Sequence, residues 1–245
     1  MSPPGNAHLT CVYWKGQFTI AHRGQLEGTI DGPGYLIYVF LSIPGNIENL
    51  KKGLEKHVYE VDLDSEEDLL ALKATYIRWD AEVLERSIDL TGEVDYQDVM
   101  LVMMPHSHFV EEACRALYPS LDRKTSASVL EVIAAAGADS DEDLEKLEHE
   151  EPTQKKVPIE NYLGMAVSDG HIWIYVVNID DNTLEIYTNR EKGYEGHRFW
   201  GIWDKSAYLP CLIYTIGIDE VRRMKTEKEF YSHFYRHNTR PSRRR

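Results

Sequence analysis

The sequence predicts an α+β fold: a mixed or antiparallel sheet built from N-terminal and C-terminal strand groups, with a helical segment inserted between them. Three observations point there. β-rich runs cluster near both ends of the chain, helical periodicity fills the middle, and each strand group carries hairpin turn residues.

In chain order, His8 to Trp14 and Gln17 to Ala21 are β-rich and separated only by Lys15-Gly16, a pattern suited to a tight hairpin. A glycine-rich loop, Arg23 to Gly34, leaves the second strand. Tyr35 to Leu41 is uniformly apolar, so periodicity cannot decide between a buried strand and a helix. Asn46 reads as an N-cap, with Ile47, Leu50 and Leu54 on one helical face. Helical patterns follow near Ser65 and Asp68 with Leu69, Leu72 and Tyr76, then from Ser107 to Leu117, stopping before Pro119. Another runs from Thr125 to Ala136, closed by Gly137. Strands return at Ile172 to Val177 and Thr183 to Tyr187, joined by Asn178-Ile179-Asp180-Asp181-Asn182, whose side chains favour chain reversal. Leu212 to Ile218 is a further strand. Thr226 with Glu229 forms a capping-box pattern opening a last helix through Phe230, Phe234 and Tyr235.

The chain has 245 residues, 42% of them apolar, enough for one domain over 1–245 with a substantial core. Its start lacks the pattern of a secretory signal, and no apolar run approaches the roughly 20 residues of a membrane span. Three separated cysteines suit a reducing compartment. A cytoplasmic protein without a membrane partner is expected. The net charge of −14 is unevenly spread: Glu55 to Glu151 holds 26 acidic and 8 basic residues, whereas Arg222 to Arg245 holds 9 basic and 2 acidic. Residues 138–156 read as an acidic linker or loop, and 236–245 as a basic flexible tail. That tail can meet a polyanion, although a solvated arm that aids solubility or serves as an address is the more ordinary reading.

Two acidic segments are candidates for chemistry. In the glycine loop, Glu27 and Asp31 sit among Gly24, Gly28, Gly32 and Gly34, where backbone amides can hold an anion and the carboxylates an amino group. The spacing fits neither a dinucleotide fingerprint nor a P-loop. In the late hairpin, Asp180, Asp181 and Glu185 can grip a guanidinium or ammonium group, or serve as acid and base. Both segments also have purely structural readings, as a bent loop and as ordinary turn formers. Phe199 to Trp203, including Trp200, can wall a substrate cavity. His106 and His108 lack a third ligand of suitable spacing, so no metal is expected. Cys11 reads as a buried thiol in a strand.

His22 to Gly34 resembles a loop of the form Gln-Tyr-Gly-Gln-Trp-Asp-Gly-Tyr-Pro-Glu-Gly-Gln-Gly, found in a large group of fungal proteins. Gly24, Glu27, Gly28, Asp31, Gly32 and Gly34 keep the glycine and acidic positions, while Leu26 and Thr29 replace the aromatic ones. Together with the opening hairpin and Val176 to Tyr187, the chain is similar to the fungal arginine-containing cyclodipeptide synthases. That resemblance implies a transferase of secondary metabolism that takes arginine and a second amino acid from charged transfer RNAs and closes them into a diketopiperazine. It implies no cofactor. The family carries two aspartates followed by a glutamate, and Asp180, Asp181 and Glu185 match with one extra residue in the gap, which gives them the catalytic role. Glu27, Asp31, Gly24, Gly28 and Trp200 are then substrate-binding. The competing expectations are a non-catalytic peptide- or partner-binding protein using the glycine loop, and an amide hydrolase using Cys11.

Overall fold

The computed structural model describes residues 7–25, 28–65, 67–72, 118–138, 156–168, 172–202 and 208–237. Strands β1 (His8–Trp14) and β2 (Gln17–Gly24) form the first hairpin. A π-helical turn, Ile30–Gly34, leads into helix α1 (Tyr35–Ser42), and α2 (Asn46–Lys56) follows. After β3 (Val58–Glu60), residues 67–72 are helical, a 3-10 segment spans Arg123–Ser128, and α3 covers Val129–Ala138. Then come β4 (Val157–Ile159), the short α4 (Met165–Ser168), β5 (Trp173–Asn178), β6 (Thr183–Lys192), β7 (Tyr208–Gly217), α5 (Ile218–Arg223) and α6 (Glu227–His237).

Five strands form one mixed sheet in the order β2-β1-β5-β6-β7, and β3 pairs with β4 separately. Only the β1–β5 ladder of the large sheet is parallel, with His8 opposite Trp173 and Val12 opposite Val177. The terminal strand groups thus share a sheet, and the fold is α+β as its strand and helix order predicts. Lys15 and Gly16 both take positive φ, 54° and 77°, the geometry a two-residue reversal requires. Asn182, at φ 54°, turns the β5–β6 hairpin.

Alternation along the strands divides the core in two. Val12, Ile20, Tyr175, Val177, Leu184 and Ile186 face the helices and pack with Ile37, Leu41, Leu50, Ile133, Phe230 and Phe234. Leu9, Cys11, Ala21, Ile174 and Val176 face the other way, against Phe199 and Leu209. His8 and Thr10 therefore belong to the helical side with Val12, whereas Glu185, between Leu184 and Ile186, belongs to the opposite side.

Several local expectations resolve or change. The Tyr35 to Leu41 run is helical, and its even apolarity reflects a helix enclosed on most sides, with Ile37, Tyr38, Phe40 and Leu41 all buried. Asn46 is the first residue of α2 rather than its cap: Gly45 precedes it at φ 90°, and the Asn46 amide instead donates to the Phe40 carbonyl at 2.9 Å. The helix expected from Thr125 begins at Val129, because Ser126 adopts φ 55° and ψ −134°, which no helix accommodates. Gly137 does not close α3. It lies inside the helix, where an added Cβ would overlap the Asn49 carbonyl, as one on Gly53 would overlap that of Ile133; the glycines let α2 and α3 approach closely. At α6 the box is displaced by one residue: Thr226 Oγ1 accepts from the Glu229 amide at 3.3 Å, while Glu229 Oε2 accepts from the Lys225 amide at 2.8 Å. Arg236 and His237 complete that helix instead of opening the tail. Among the described residues no helix is long and apolar enough to cross a membrane.

Candidate functional site

The acidic hairpin is engaged within the chain. Asp180 accepts the Lys15 amide on Oδ1 at 3.0 Å and the Gly16 amide on Oδ2 at 2.9 Å, so it caps the first hairpin from the turn of the second. Glu185 is only 5% exposed. Its Oε1 accepts from Asn178 Nδ2 at 2.8 Å and Arg198 Nη2 at 2.5 Å, and its Oε2 from Tyr187 Oη at 2.5 Å and Arg198 Nε at 3.1 Å. Asp181 accepts from Asn178 at 2.7 Å and from Arg198 Nη2 at 3.3 Å. The Arg198 guanidinium also lies 4.3 Å from the Tyr13 ring centroid. This is the grip for a planar cation that the sequence suggests, and the chain's own arginine fills it.

Burial opposes the charge on Arg198, but hydrogen bonding and attraction to Glu185 outweigh it, and the pKa rises above the ordinary arginine value. Burial pushes the Tyr187 phenol up, and its bond to Glu185 pushes it further, so it stays a neutral donor. Next along the chain, His197 is buried, with Nε2 donating to the Pro210 carbonyl at 3.0 Å and Nδ1 accepting the Phe199 amide at 3.1 Å. His197 and Arg198 are both structural anchors. Half-buried Trp200 packs in the same cluster, and Cys11 is fully buried within the sheet.

Asp31 lies elsewhere. It is exposed on the π-helical turn, on the helix-covered side of the sheet, and its charge acts on Tyr175, Tyr231 and Tyr235. Asp181 and Glu185 belong to the other side, so among the described residues Asp31 shares no hollow with them. Glu27 lies outside the described residues, as do His106, His108, Trp203 and the C-terminal arm beyond residue 237. Gly28 turns its carbonyl to the Tyr175 hydroxyl, which donates to it at 2.8 Å.

Beside the loop, α6 presents Glu227, Tyr231 and Tyr235 at i, i+4 spacing, with Lys228, Ser232 and Arg236 on the adjoining stripe. These six residues line a hollow of about 470 Å3. The Tyr231 phenol is pushed up by burial, then by its hydrogen bond to Glu227 and by the charges of Glu227 and Asp31; Tyr235 is pushed up by burial and by Asp31. Neutral phenol rings beside two carboxylates suit a cation, which gains from ring faces and from charge-assisted bonds. Lys228 and Arg236 offer positive charge at the rim.

Gly24 serves the same side of the sheet by a different route. It pairs with His8 across β1–β2, and an added Cβ would overlap the His8 ring. The missing side chain makes room for a fully buried imidazole whose Nε2 lies 2.8 Å from Ser126 Oγ. The loop is tied to this segment, since the Gln25 amide donates to the Arg123 carbonyl at 3.2 Å. Sequence reasoning missed Arg198, the α6 tyrosines, and the His8–Ser126 contact. Only the tyrosines had a readable signal, their i, i+4 spacing with Glu227. Comparison with family models, curated proteins and solved structures returned no match.

Proposed function

We propose that this chain recognises an arginyl or similarly cationic aminoacyl group in the hollow lined by α6, in the service of aminoacyl-tRNA-dependent synthesis of an arginine-containing cyclic dipeptide. The observation that carries the proposal is an open volume of about 470 Å3 lined by Glu227, Tyr231 and Tyr235, with the charge of Asp31 acting on both phenols. A guanidinium fits this setting: its fork matches carboxylates and its plane stacks on phenol rings. Lys228 and Arg236 at the rim suit the phosphates that an aminoacyl-tRNA brings with its ester. In this reading Asp180, Asp181 and Glu185 hold the hairpins and Arg198 in place, and they transfer no proton.

That engagement of the hairpin carboxylates also favours a second reading, a non-catalytic protein that holds a cationic peptide or partner at the same hollow. Titration of arginine methyl ester tests the shared step. Wild type is expected to bind it and to ignore norleucine methyl ester, and Asp31→Asn with Tyr235→Ala is expected to abolish binding; equal binding of the two esters overturns the proposal. Mass spectrometry of cells expressing the protein separates the readings. Arginine diketopiperazines that vanish in Asp31→Asn support the synthase, and their absence from cells holding folded wild-type protein supports the binder.

A further inference from the structure

We infer that Ser126 is a covalent acyl acceptor and His8 its general base, together forming a site for activated carboxylic esters. Ser126 stands at φ 55° and ψ −134°, a region that non-glycine residues rarely occupy and that persists only where surrounding structure enforces it. The strain occurs three residues before α3, at a sharp entry into a helix. Hydrolases of the α/β type place a nucleophilic serine on such a turn, lifting the hydroxyl clear of the backbone. Here Lys124 and Ser128 stand where those enzymes have glycines, so the likeness lies in the conformation and the contact, not in a sequence motif.

The contact is the second, independent observation. Ser126 Oγ lies 2.8 Å from His8 Nε2, within the distance a base needs to take the hydroxyl proton. The two residues are 118 positions apart, and the sheet rather than the local sequence brings them together. His8 is wholly buried on the helical face of β1, with its ring held over Gly24 and edge-on to Tyr175 at a centroid distance of 6.4 Å. Ser126 is half-buried, whereas the base His8 is fully buried. On the same strand face Thr10 is fully buried, and its hydroxyl meets no hydrogen-bond partner among the described residues. The 3-10 segment carrying Ser126 also touches the π-helical turn that bears Asp31.

The step balances without any added oxidant, reductant or metal. Ser126 Oγ bonds to the ester carbonyl carbon as its proton passes to His8 Nε2. The bond from that carbon to the leaving oxygen breaks, and the leaving alkoxide takes the proton from His8. An amine or water then attacks the acyl-serine carbon and gives a proton to His8; the bond from that carbon to Ser126 Oγ breaks, and His8 returns the proton to Oγ. The inference goes beyond cation recognition and does not depend on it, since a plain acetyl ester is the probe.

Incubating the purified full chain with p-nitrophenyl acetate tests it. Wild type is expected to release a burst of one equivalent of nitrophenolate and to gain one acetyl group, located on Ser126 by peptide sequencing. Ser126→Gly, which tolerates the positive φ, is expected to fold and to show neither. His8→Gln is expected to acylate at least about 100-fold more slowly, the lower end of what a general base supplies. Absence of the adduct from folded wild type, its persistence in Ser126→Gly, or wild-type rates in His8→Gln would overturn the inference.

Discussion

Replacing Arg198 by alanine isolates the claim that the acidic hairpin is a structural lock. The substitution removes two of the four hydrogen bonds that Glu185 accepts, the cation that balances it, and the contact with Tyr13. Asn178 and Tyr187 remain as donors, so a carboxylate whose side chain is 7% exposed is left without a counter-charge. Breaking a buried pair by deleting one partner costs about 3–5 kcal/mol. The 19% exposure of the Arg198 side chain admits some water and favours the lower part of that range. The Asp181 pair adds little, because that carboxylate is 65% exposed. The cation–π contact adds about 0.5–1 kcal/mol. A total near 3–4 kcal/mol corresponds to a fall in Tm of about 6–16 °C for a chain of this size. Urea denaturation measures it, and Glu185→Gln in the Arg198→Ala background, which removes the orphaned charge, is expected to restore about half. A loss below about 1 kcal/mol in Arg198→Ala would refute the lock and return Asp181 and Glu185 to candidacy as an open site.

Three further outcomes are expected. Gly24→Ala drives a methyl into the His8 ring, so it is expected to lose about 1–3 kcal/mol in denaturation and to lower the Ser126 acylation rate. Ser126→Gly relieves about 1–3 kcal/mol of backbone strain against the loss of one hydrogen bond and some chain entropy, so calorimetry is expected to find stability within about 1 kcal/mol of wild type. His197 gives a pH signature: burial, only partly offset by the Pro210 carbonyl and Glu191, holds its pKa below the ordinary histidine value. The folded protein therefore binds fewer protons there than the unfolded chain, so the His197 contribution is complete above the unfolded pKa of about 6.5 and is lost as pH falls from there through the lower folded pKa. His197→Gln is expected to flatten that part of the stability profile, and an unchanged slope would contradict the assignment.

Much of the frame is readable from residue pattern because it is local. Lys15-Gly16 and Asn178 to Asn182 announce their hairpins through conformational preference, and Thr226 with Glu229 marks the start of α6 through hydrogen bonding within one turn. The shared sheet follows from the order of the elements. The features that failed depend on distant partners. Gly137 looks like a helix terminator until α2 is packed against it, and Thr125 to Ser128 looks helical until Ser126 is held against His8. Asp181 and Glu185 read as able to grip a guanidinium, but nothing in their spacing reveals that Arg198, across a turn, pairs with both. Asp31 joins α6 only through the fold, nearly 200 residues along the chain.

A crystal structure of the protein soaked with arginine methyl ester tests most directly where a cationic aminoacyl group is received. The guanidinium is expected between Asp31, Glu227 and the rings of Tyr231 and Tyr235, with Arg198 still bound to Glu185. Density for the ligand at Asp181 and Glu185, with Arg198 displaced, would contradict the account.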